Sequence, residues 1–408
     1  MTDYFPEELL IEILSRVPAK SLVRFLLVSK SWYSLIRSPS FITTQLKNVR
    51  LGEIPGKIEQ FIIYPDDNDE SEAVGREVDD MDMDSATKST DVEFPLKSIV
   101  GYHRLVGTCD GLVCLADDFF SRARAVYLWN PTVRNCLELP SPTIDPSFPH
   151  SWVLGFGVDI LGDYKVVRIV YGREDLDPDL DYSLPPWVEI FSLNTGFWRR
   201  IENVSINSYV TDFKWSQAFL NGALHWISYC RLSNTDGVPV SSLILRFHMD
   251  DESFNEINLP HELTCMPPLD LAVSVYEGLL SVIAYHSAEN RSNCSLWVMR
   301  RYGVSESWTR LFTVQLGEGI EKVVRFRKNS SVLAVRRDEL VIFDPKTSEI
   351  QELGMCGAKR TMEMGGMIGK KVTEVRVTSV DREGLLRVRL NFHESERATR
   401  KATLNPKP

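Results

Sequence analysis

The sequence lacks the residue patterns that build metal centres, disulfide frameworks and common catalytic sites. Its seven cysteines are scattered, odd in number and never spaced as Cys-x-x-Cys, and its seven histidines show no paired-ligand spacing such as His-Glu-x-x-His. No Gly-x-Ser-x-Gly nucleophile elbow occurs, and the glycines at 155–162 and 365–369 complete neither a dinucleotide fingerprint nor a phosphate loop. We therefore expect no metal, no cofactor and no catalytic residue in this chain.

Basic stripes and long apolar runs are also missing. No cluster of lysine and arginine is present to neutralise phosphates, which argues against binding to nucleic acid. No stretch approaches the roughly 18 apolar residues of a membrane span. The opening residues MTDYFPEELL carry acids where a signal peptide needs a basic start. We expect a protein of the cytoplasm and/or nucleus, with no membrane partner.

The net charge of -10 is concentrated in one segment. Residues 66–93 hold twelve acidic and two basic residues, so the rest of the chain is nearly neutral. A stretch this acidic and this poor in aromatics cannot bury enough apolar surface to offset its ordering entropy, which predicts a disordered loop. A contact with a basic partner, or a phosphorylation switch at Ser71, Ser85 or Ser89, remains an alternative.

The first 50 residues show helical periodicity. Pro6 suits a first helical turn, apolar residues then recur at helical spacing, and Pro18 ends the pattern. A second apolar set follows between Leu22 and Ile36. A three-helix unit this small cannot bury so many apolar side chains internally. We therefore predict that another protein covers part of this surface.

The segment FPEELLIEILSRVPAKSLVRFLLVSKSWYSLIRSPSFI resembles the F-box of plant F-box proteins over its whole length. Its Phe-Pro opening, its helix-ending proline and its Val-Ser-Lys-x-Trp motif carry the resemblance. Phe5 stands where leucine is common and Leu27 where cysteine is frequent, and both changes keep the site apolar. The resemblance implies that eight residues pack on the small Skp-type adaptor that joins F-box proteins to a cullin: Phe5, Pro6, Ile13, Leu14, Pro18, Leu22, Val28 and Trp32.

A weak repeat runs through the remaining chain. Five hairpin-like segments share alternating apolar residues, an aromatic, a polar turn and a second alternating run. The aromatics lie 46 to 62 residues apart, and a further strand precedes each hairpin; they are Trp129, Phe191, Phe247, Trp297 and Phe343. Four strands per unit at a period near 50 residues is the kelch-like propeller pattern.

A sixth unit begins at residues 372–392, but no hairpin follows it in the polar tail 393–408. Residues 59–64 and 94–100 offer the missing strands, so we predict six blades closed by N-terminal strands, which leaves no exposed sheet edge. The predicted organisation is an α+β multidomain chain: an F-box at 1–50, an all-β propeller at 51–392 and a flexible tail. A two-sheet β-sandwich is the alternative.

This second region resembles the F-box-associated, kelch-like domain of plant F-box proteins. The motifs VGTCDGLVCL, LWNPTVR, LGFGVDILGDYKVVRIVY and FLNGALHWI carry the resemblance, in that order. Such domains are substrate receptors whose targets differ from member to member. The resemblance therefore implies a role for this region without naming its target.

Turn lengths predict where a target would bind. Short turns such as Asp110-Gly111 alternate with long connections at 117–124, 139–151, 171–187, 229–241, 286–293 and 353–371. In a propeller the long connections converge on one face, and variable loops on a regular scaffold commonly form binding surfaces. Aromatic, arginine and histidine residues there are the candidate substrate contacts: Phe119, Phe120, Arg122, Arg124, His150, Tyr171, Tyr182, Trp187, Tyr229 and His286.

Together these features predict a non-catalytic substrate-recognition subunit of an adaptor–cullin–F-box (SCF-type) ubiquitin ligase. The F-box would hold the adaptor while the propeller holds the protein to be ubiquitinated and degraded. A scaffold that binds the adaptor without degradation, or an enzyme built on the propeller, is the alternative. The sequence does not name the target.

Overall fold

The structure is a computed structural model that describes most of the chain. It covers residues 6–17, 19–50, 59–65, 73–79, 90–93, 104–117, 125–131, 135–144, 150–172, 185–202, 204–210, 217–231, 240–288, 291–327, 330–337, 339–356 and 373–377.

The N-terminal part is a module of four helices, α1 (Glu7–Leu14), α2 (Ala19–Phe25), α3 (Lys30–Ile36) and α4 (Pro39–Arg50). The prediction of three helices was therefore wrong by one. Two serines separate the last three helices: the Ser29 hydroxyl accepts a hydrogen bond from the Trp32 amide, and Ser38 accepts one from the Phe41 amide. Pro39 then supplies a favourable first helical residue, because its missing N–H would have no partner there.

A small apolar core holds the four helices together. Its buried members come from all four helices and the turn after α2, and they are Leu14, Leu22, Leu26, Leu35, Ile36 and Phe41. Trp32 packs edge-on against Phe25, with ring centroids 5.5 Å apart. The Asn48 side chain donates to the Ser15 hydroxyl and ties α4 to the end of α1. No helix in the described part of the chain is long and apolar enough to cross a membrane.

The rest of the described chain is almost entirely β-strand. The strands are β1 (Glu59–Pro65), β2 (Ala73–Asp79), β3 (Thr90–Glu93), β4 (Arg104–Cys109), β5 (Leu112–Asp117), β6 (Ala125–Asn130), β7 (Asn135–Glu138), β8 (His150–Val158), β9 (Tyr164–Gly172), β10 (Trp187–Ser192), β11 (Phe197–Ile201), β12 (Tyr209–Val210), β13 (Gln217–Leu220), β14 (Ala223–Arg231), β15 (Val240–His248), β16 (Phe254–Asn258), β17 (Leu271–Tyr276), β18 (Leu279–Ala288), β19 (Arg291–Met299), β20 (Trp308–Gln315), β21 (Ile320–Phe326), β22 (Val332–Arg336), β23 (Glu339–Phe343), β24 (Ile350–Cys356) and β25 (Thr373–Val377). One short helix, α5 (His261–Thr264), and single 3-10 turns at Pro268–Asp270 and Ser305–Ser307 interrupt them.

Consecutive strands form five antiparallel sheets, which are the blades of a propeller. Blade 1 is β4 to β7, blade 2 is β8 to β11, blade 3 is β12 to β16, blade 4 is β17 to β20 and blade 5 is β21 to β24. The first strands of successive blades lie against each other, for example β4 against β8 and β13 against β17, so they surround a common axis. The repeat found in the sequence is confirmed as the blade repeat.

The hydrophobic core lies between the blades. Four clusters of buried side chains fill the four interfaces between successive blades, because both faces of each inner sheet carry apolar residues. The repeated aromatic of each blade belongs to the interface with the preceding blade: Phe191 for blades 1 and 2, Phe247 for 2 and 3, Trp297 for 3 and 4, Phe343 for 4 and 5. These aromatics therefore set the packing of neighbouring blades.

The predicted count of six blades exceeds the five that consecutive strands form. A further sheet has the order β25-β1-β2-β3, and β1 pairs with β25 in antiparallel register from Glu59↔Val377 to Ile63↔Thr373. The strand predicted at 59–64 is thus confirmed. Residues 94–100, 378–392 and the predicted tail 393–408 lie outside the described residues.

The prediction of a disordered loop over 66–93 was wrong for two parts of it. Residues 73–79 form β2, which pairs with β1, and residues 90–93 form β3, which pairs with β2. The backbone ladder to the apolar strand β1 supplies hydrogen bonds that composition alone does not reveal. Residues 66–72 and 80–89 lie outside the described part.

One buried ion pair fixes the connection between blades 1 and 2. The guanidinium of Arg168 on β9 lies 2.5 Å from the Glu189 carboxylate on β10, and both side chains are almost fully buried. The second carboxylate oxygen accepts from the amide and hydroxyl of Thr143 and from the amide of Ile144, while Arg168 donates to the Ile144 carbonyl. Glu189 therefore orders residues 143–144 as well as pairing with a buried charge.

Candidate interaction surfaces

The helical module exposes several large apolar side chains. Leu9 and Ile13 are one helical turn apart on α1 and about half exposed, while their neighbours Leu10 and Leu14 face the core. Leu27 is 90% exposed and Val28 60% exposed in the turn between α2 and α3. The Ser29 cap holds the end of that turn. We call the set Leu9, Ile13, Leu27, Val28 and Tyr33 the exposed apolar set.

The eight predicted adaptor contacts fall into different environments. Pro6, Ile13 and Val28 are exposed, and Trp32 is partly buried. Leu14 and Leu22 are only 2% and 5% exposed because they build the module's own core, so they leave little surface for a partner. Phe5 and Pro18 lie outside the described residues. Leu9, Leu27 and Tyr33 are not among the eight predicted contacts, although the apolar periodicity of α1 could have indicated Leu9.

The propeller has two unlike faces, which follow from its strand order. In each antiparallel blade, the turn after the first strand and the turn after the third strand lie at the same end. These turns include 110–111, 221–222 and 277–278, and their end of the propeller is named the turn face. The connections after the second and fourth strands lie at the opposite end, named the loop face. The strand order therefore places the connections that were predicted to be long at the loop-face end.

One of the predicted long connections is much shorter than the sequence suggested. Strands β18 and β19 continue to Ala288 and from Arg291, which leaves only residues 289–290 between them, so the predicted connection at 286–293 was wrong. For the same reason His286 lies within a strand. Cross-strand hydrogen bonding extends these strands beyond the apolar run that marks them in the sequence.

Five of the predicted substrate contacts lie at the loop-face ends of strands, namely His150 on β8, Tyr171 on β9, Trp187 on β10, Tyr229 on β14 and His286 on β18. The other five, Phe119, Phe120, Arg122, Arg124 and Tyr182, lie outside the described residues. Topology thus brings the described candidates to one face. Tyr171 is buried, Trp187 and Tyr229 are partly exposed, and His286 is exposed.

Three tyrosines form a cluster where blades 2 and 3 meet on the loop face. The Tyr209 ring lies between Tyr171 and Tyr229, with centroid distances of 5.6 and 5.9 Å. Tyr171 is 5% exposed and forms the buried part of the cluster, while Tyr209 and Tyr229 are partly exposed. Tyr209 was missed because it lies on the two-residue strand β12, which has no alternating pattern. We call these residues the tyrosine cluster.

Trp187 and His286 have defined partners on the same face. The Arg200 guanidinium lies 5.3 Å from the centre of the Trp187 ring, and both side chains are at least partly exposed. The His286 Nε2 atom lies 2.9 Å from the Ser295 hydroxyl, which also accepts a hydrogen bond from Trp297. An aromatic ring with an adjacent cation offers a flat contact for a protein partner.

Two family descriptions match this chain. "F-box domain" matches residues 4–44, and "F-box associated beta propeller domain" matches residues 59–353, more than half of the chain. The chain belongs to the F-box-associated β-propeller family.

Several relatives of this F-box protein are plant proteins. The chain is 28% identical over 375 residues to the F-box protein CPR1 of Arabidopsis thaliana, covering 85% of this chain and 84% of that protein. It is 27% identical over 335 residues to an F-box/kelch-repeat protein of the same plant, covering 76% and 79%. A solved structure, the tricorn protease, matches with a TM-score of 0.38 and 9% identity over 75% of this chain and 30% of that one.

A buried histidine lies on the turn face, at the interface of blades 3 and 4. The Nδ1 atom of His225 lies 3.1 Å from the Ala218 carbonyl, and Nε2 lies 2.9 Å from the Tyr302 hydroxyl. Because a carbonyl only accepts, Nδ1 carries the proton and Nε2 accepts from Tyr302. Burial, with a smaller contribution from the nearby Arg246 charge, lowers the pKa of His225 from 6.5 to about 4. Among the described residues no group of His, Cys, Asp and Glu is arranged to hold a metal.

This low pKa predicts a pH-dependent stability. The folded protein favours neutral His225, so its contribution is complete above about pH 6.5 and is lost as the pH falls toward 4, by about 3 kcal/mol in all. His225→Gln should flatten this dependence, measured as the urea midpoint between pH 7 and pH 4.5. His261→Gln, at an exposed histidine, is the control and should keep it. Identical slopes for wild type and His225→Gln would contradict the assignment.

Proposed function

We propose that this chain is the substrate-recognition subunit of an SCF-type ubiquitin ligase. The observation that carries the proposal is the pairing of two modules in one chain: an F-box whose large apolar side chains are exposed, and a propeller with one variable, aromatic face. The first would bind the Skp-type adaptor and, through it, a cullin. The second would bind the protein to be ubiquitinated and degraded.

The exposed apolar side chains of the F-box support the first role, binding of the adaptor. Leu27 and Val28 project from a turn that the Ser29 cap holds, so little conformational entropy remains to be lost when they are covered. Burying side chains of this size in a partner stabilises a complex by about 1.5–3 kcal/mol each. Ile13 adds a third exposed apolar contact from α1.

The loop face supports the second role, binding of the protein to be ubiquitinated, which we call the client. The tyrosine cluster and the Trp187–Arg200 pair offer rigid aromatic surface with polar tips, which is the residue chemistry of interface hot spots. The two sites lie at the edge of connections whose length varies from blade to blade. A segment of the client that presents apolar and hydrogen-bonding groups fits this surface best.

Proximity accounts for the proposed activity. A receptor that holds a client near the ubiquitin-charged enzyme raises the effective concentration of the client's lysines, so it requires no catalytic residue of its own. We place this activity in the cytoplasm and/or the nucleus, where the adaptor and cullin would be met.

We also propose that the sheet β25-β1-β2-β3 is a sixth blade that closes the ring. Strand β25 lies against β4 and β5 on one side and β21 on the other. In blades 2 to 5 the repeated aromatic contacts the preceding blade, and the equivalent Trp129 of blade 1 is fully buried. Both observations support the placement of this sheet beside blade 1, between blades 5 and 1.

Substitution on the loop face tests the client step. Tyr229→Ala combined with Trp187→Ala should lower client capture by roughly tenfold or more while adaptor binding is unchanged, because hot-spot aromatics carry much of an interface's energy. The measurement is quantitative mass spectrometry of proteins co-purified with the intact chain while the proteasome is blocked. Val275→Ala, on blade 4, is the control. Equal recovery of every co-purified protein would contradict the proposed client surface.

A further inference from the structure

On the turn face, the first turn of blade 2 differs in composition from the first turns of blades 1, 3 and 4. In blades 1, 3 and 4 the first turn consists of Asp110-Gly111, Asn221-Gly222 and Glu277-Gly278, as a sharp turn favours. The equivalent turn of blade 2 is longer, Asp159 to Asp163, and places Ile160 and Leu161 at its tip. They are 84% and 87% exposed, although neither residue type helps to form a turn.

The tip is rigid. The Asp159 carboxylate accepts from the amides of Leu161 and Asp163, and the Gly162 amide donates to the Asp159 carbonyl, with Gly162 at a φ of +81°. Asp163 in turn accepts from the Ser192 hydroxyl, which joins this turn to the second turn of blade 2. Two aliphatic side chains are therefore held out in a fixed position. A flexible turn would lose more entropy on binding.

The surroundings of the tip are acidic. The Ile160 amide donates to Asp250 of blade 3 at 2.7 Å, so that exposed carboxylate lies directly beside the apolar tip. The adjacent Asp251, also exposed, accepts from the amide and the hydroxyl of Ser253, and His248 lies near it.

The local cations are already neutralised. Lys165 pairs with Asp159 and Glu252, and Arg199 pairs with Glu252 as well. The exposed arginines Arg300 and Arg301 lie on blade 4, beyond blade 3. The surface between blades 2 and 3 is thus apolar at its tip and negative at its rim.

We propose that this tip, Ile160 and Leu161 with the Asp250–Asp251 rim, is a second docking site that binds a protein segment carrying apolar side chains flanked by lysine or arginine. The acidic rim fits such a segment and repels an anionic membrane surface, so we assign a protein and not a lipid. The site lies on the turn face, so it does not depend on the client surface proposed for the loop face.

A peptide-display selection tests the site. The intact chain is immobilised, a library of random 12-residue peptides is selected on it, and enriched peptides are measured by fluorescence anisotropy. The variant is Ile160→Ser with Leu161→Ser, which keeps the turn because its hydrogen bonds come from the backbone and Asp159. Leu269→Ser is the matched control: it also removes an exposed leucine, but from the connection between β16 and β17 on the loop face.

The expected result is enrichment of peptides with apolar residues next to lysine or arginine. Their affinity should fall about tenfold or more in the double variant and stay unchanged in Leu269→Ser. It should also weaken as salt rises, because the rim is solvent-exposed. Enrichment of no such peptide, or equal affinity for the double variant, would overturn the proposal. So would a dimer of the intact chain that the double variant dissociates, since the occupant would then be a second copy.

Discussion

Replacing Ile13 and Val28 by aspartate is expected to weaken binding of a Skp-type adaptor strongly. Both side chains are exposed and neither supports the helical core, so the module should remain folded. In a complex, however, each aspartate would have to give up its hydration against an apolar surface, which is strongly unfavourable. We expect affinity to fall on the order of a hundredfold, or about 3 kcal/mol.

The measurement is titration of the purified adaptor by calorimetry or interferometry. Ser40→Asp is the control, because it adds one aspartate, half the charge of the double variant, at an exposed position in the first turn of α4, where a carboxylate suits the helix. Thermal unfolding of each variant checks the fold. Unchanged affinity in the folded Ile13/Val28 variant would show that the exposed apolar set does not bind the adaptor.

Glu189→Ala is expected to destabilise the propeller by about 3–5 kcal/mol, because it leaves the buried Arg168 without its counter-charge. It also removes the acceptor of the Thr143 and Ile144 amides, so the connection between blades 1 and 2 loses its anchor. Urea unfolding measures the change.

The control for this prediction is Glu262→Ala. It breaks the exposed pair with Arg310, whose N–O distance is 3.2 Å, and exposed pairs contribute about 0–1 kcal/mol. A Glu189→Ala variant no less stable than Glu262→Ala would contradict the role given to the buried pair.

Local patterns predicted most of the β architecture. Alternating apolar residues and Gly-containing turns identified β14 around His225 and β18 before His286, because both signals act between close neighbours in sequence. Segment 73–79 could not be found this way. Its strand depends on pairing with β1, and its composition is that of a solvated loop.

The candidate sites were predicted less completely. Helical spacing showed that α1 is apolar but could not distinguish the buried Leu14 from the exposed Ile13, since that depends on how the helices pack. The loop-face position of Tyr171 and Tyr229 followed from the blade repeat. Their contact with Tyr209 did not, because it arises from a connection that folds back to pair with β14.

The most direct test of the two-module account compares the intact chain with a form lacking residues 1–50. Each is purified from cells with the proteasome blocked, and the bound proteins are identified by mass spectrometry. We expect adaptor and cullin to accompany only the intact chain, while at least one further protein is held by both forms. Recovery of no adaptor by the intact chain would contradict the ligase role.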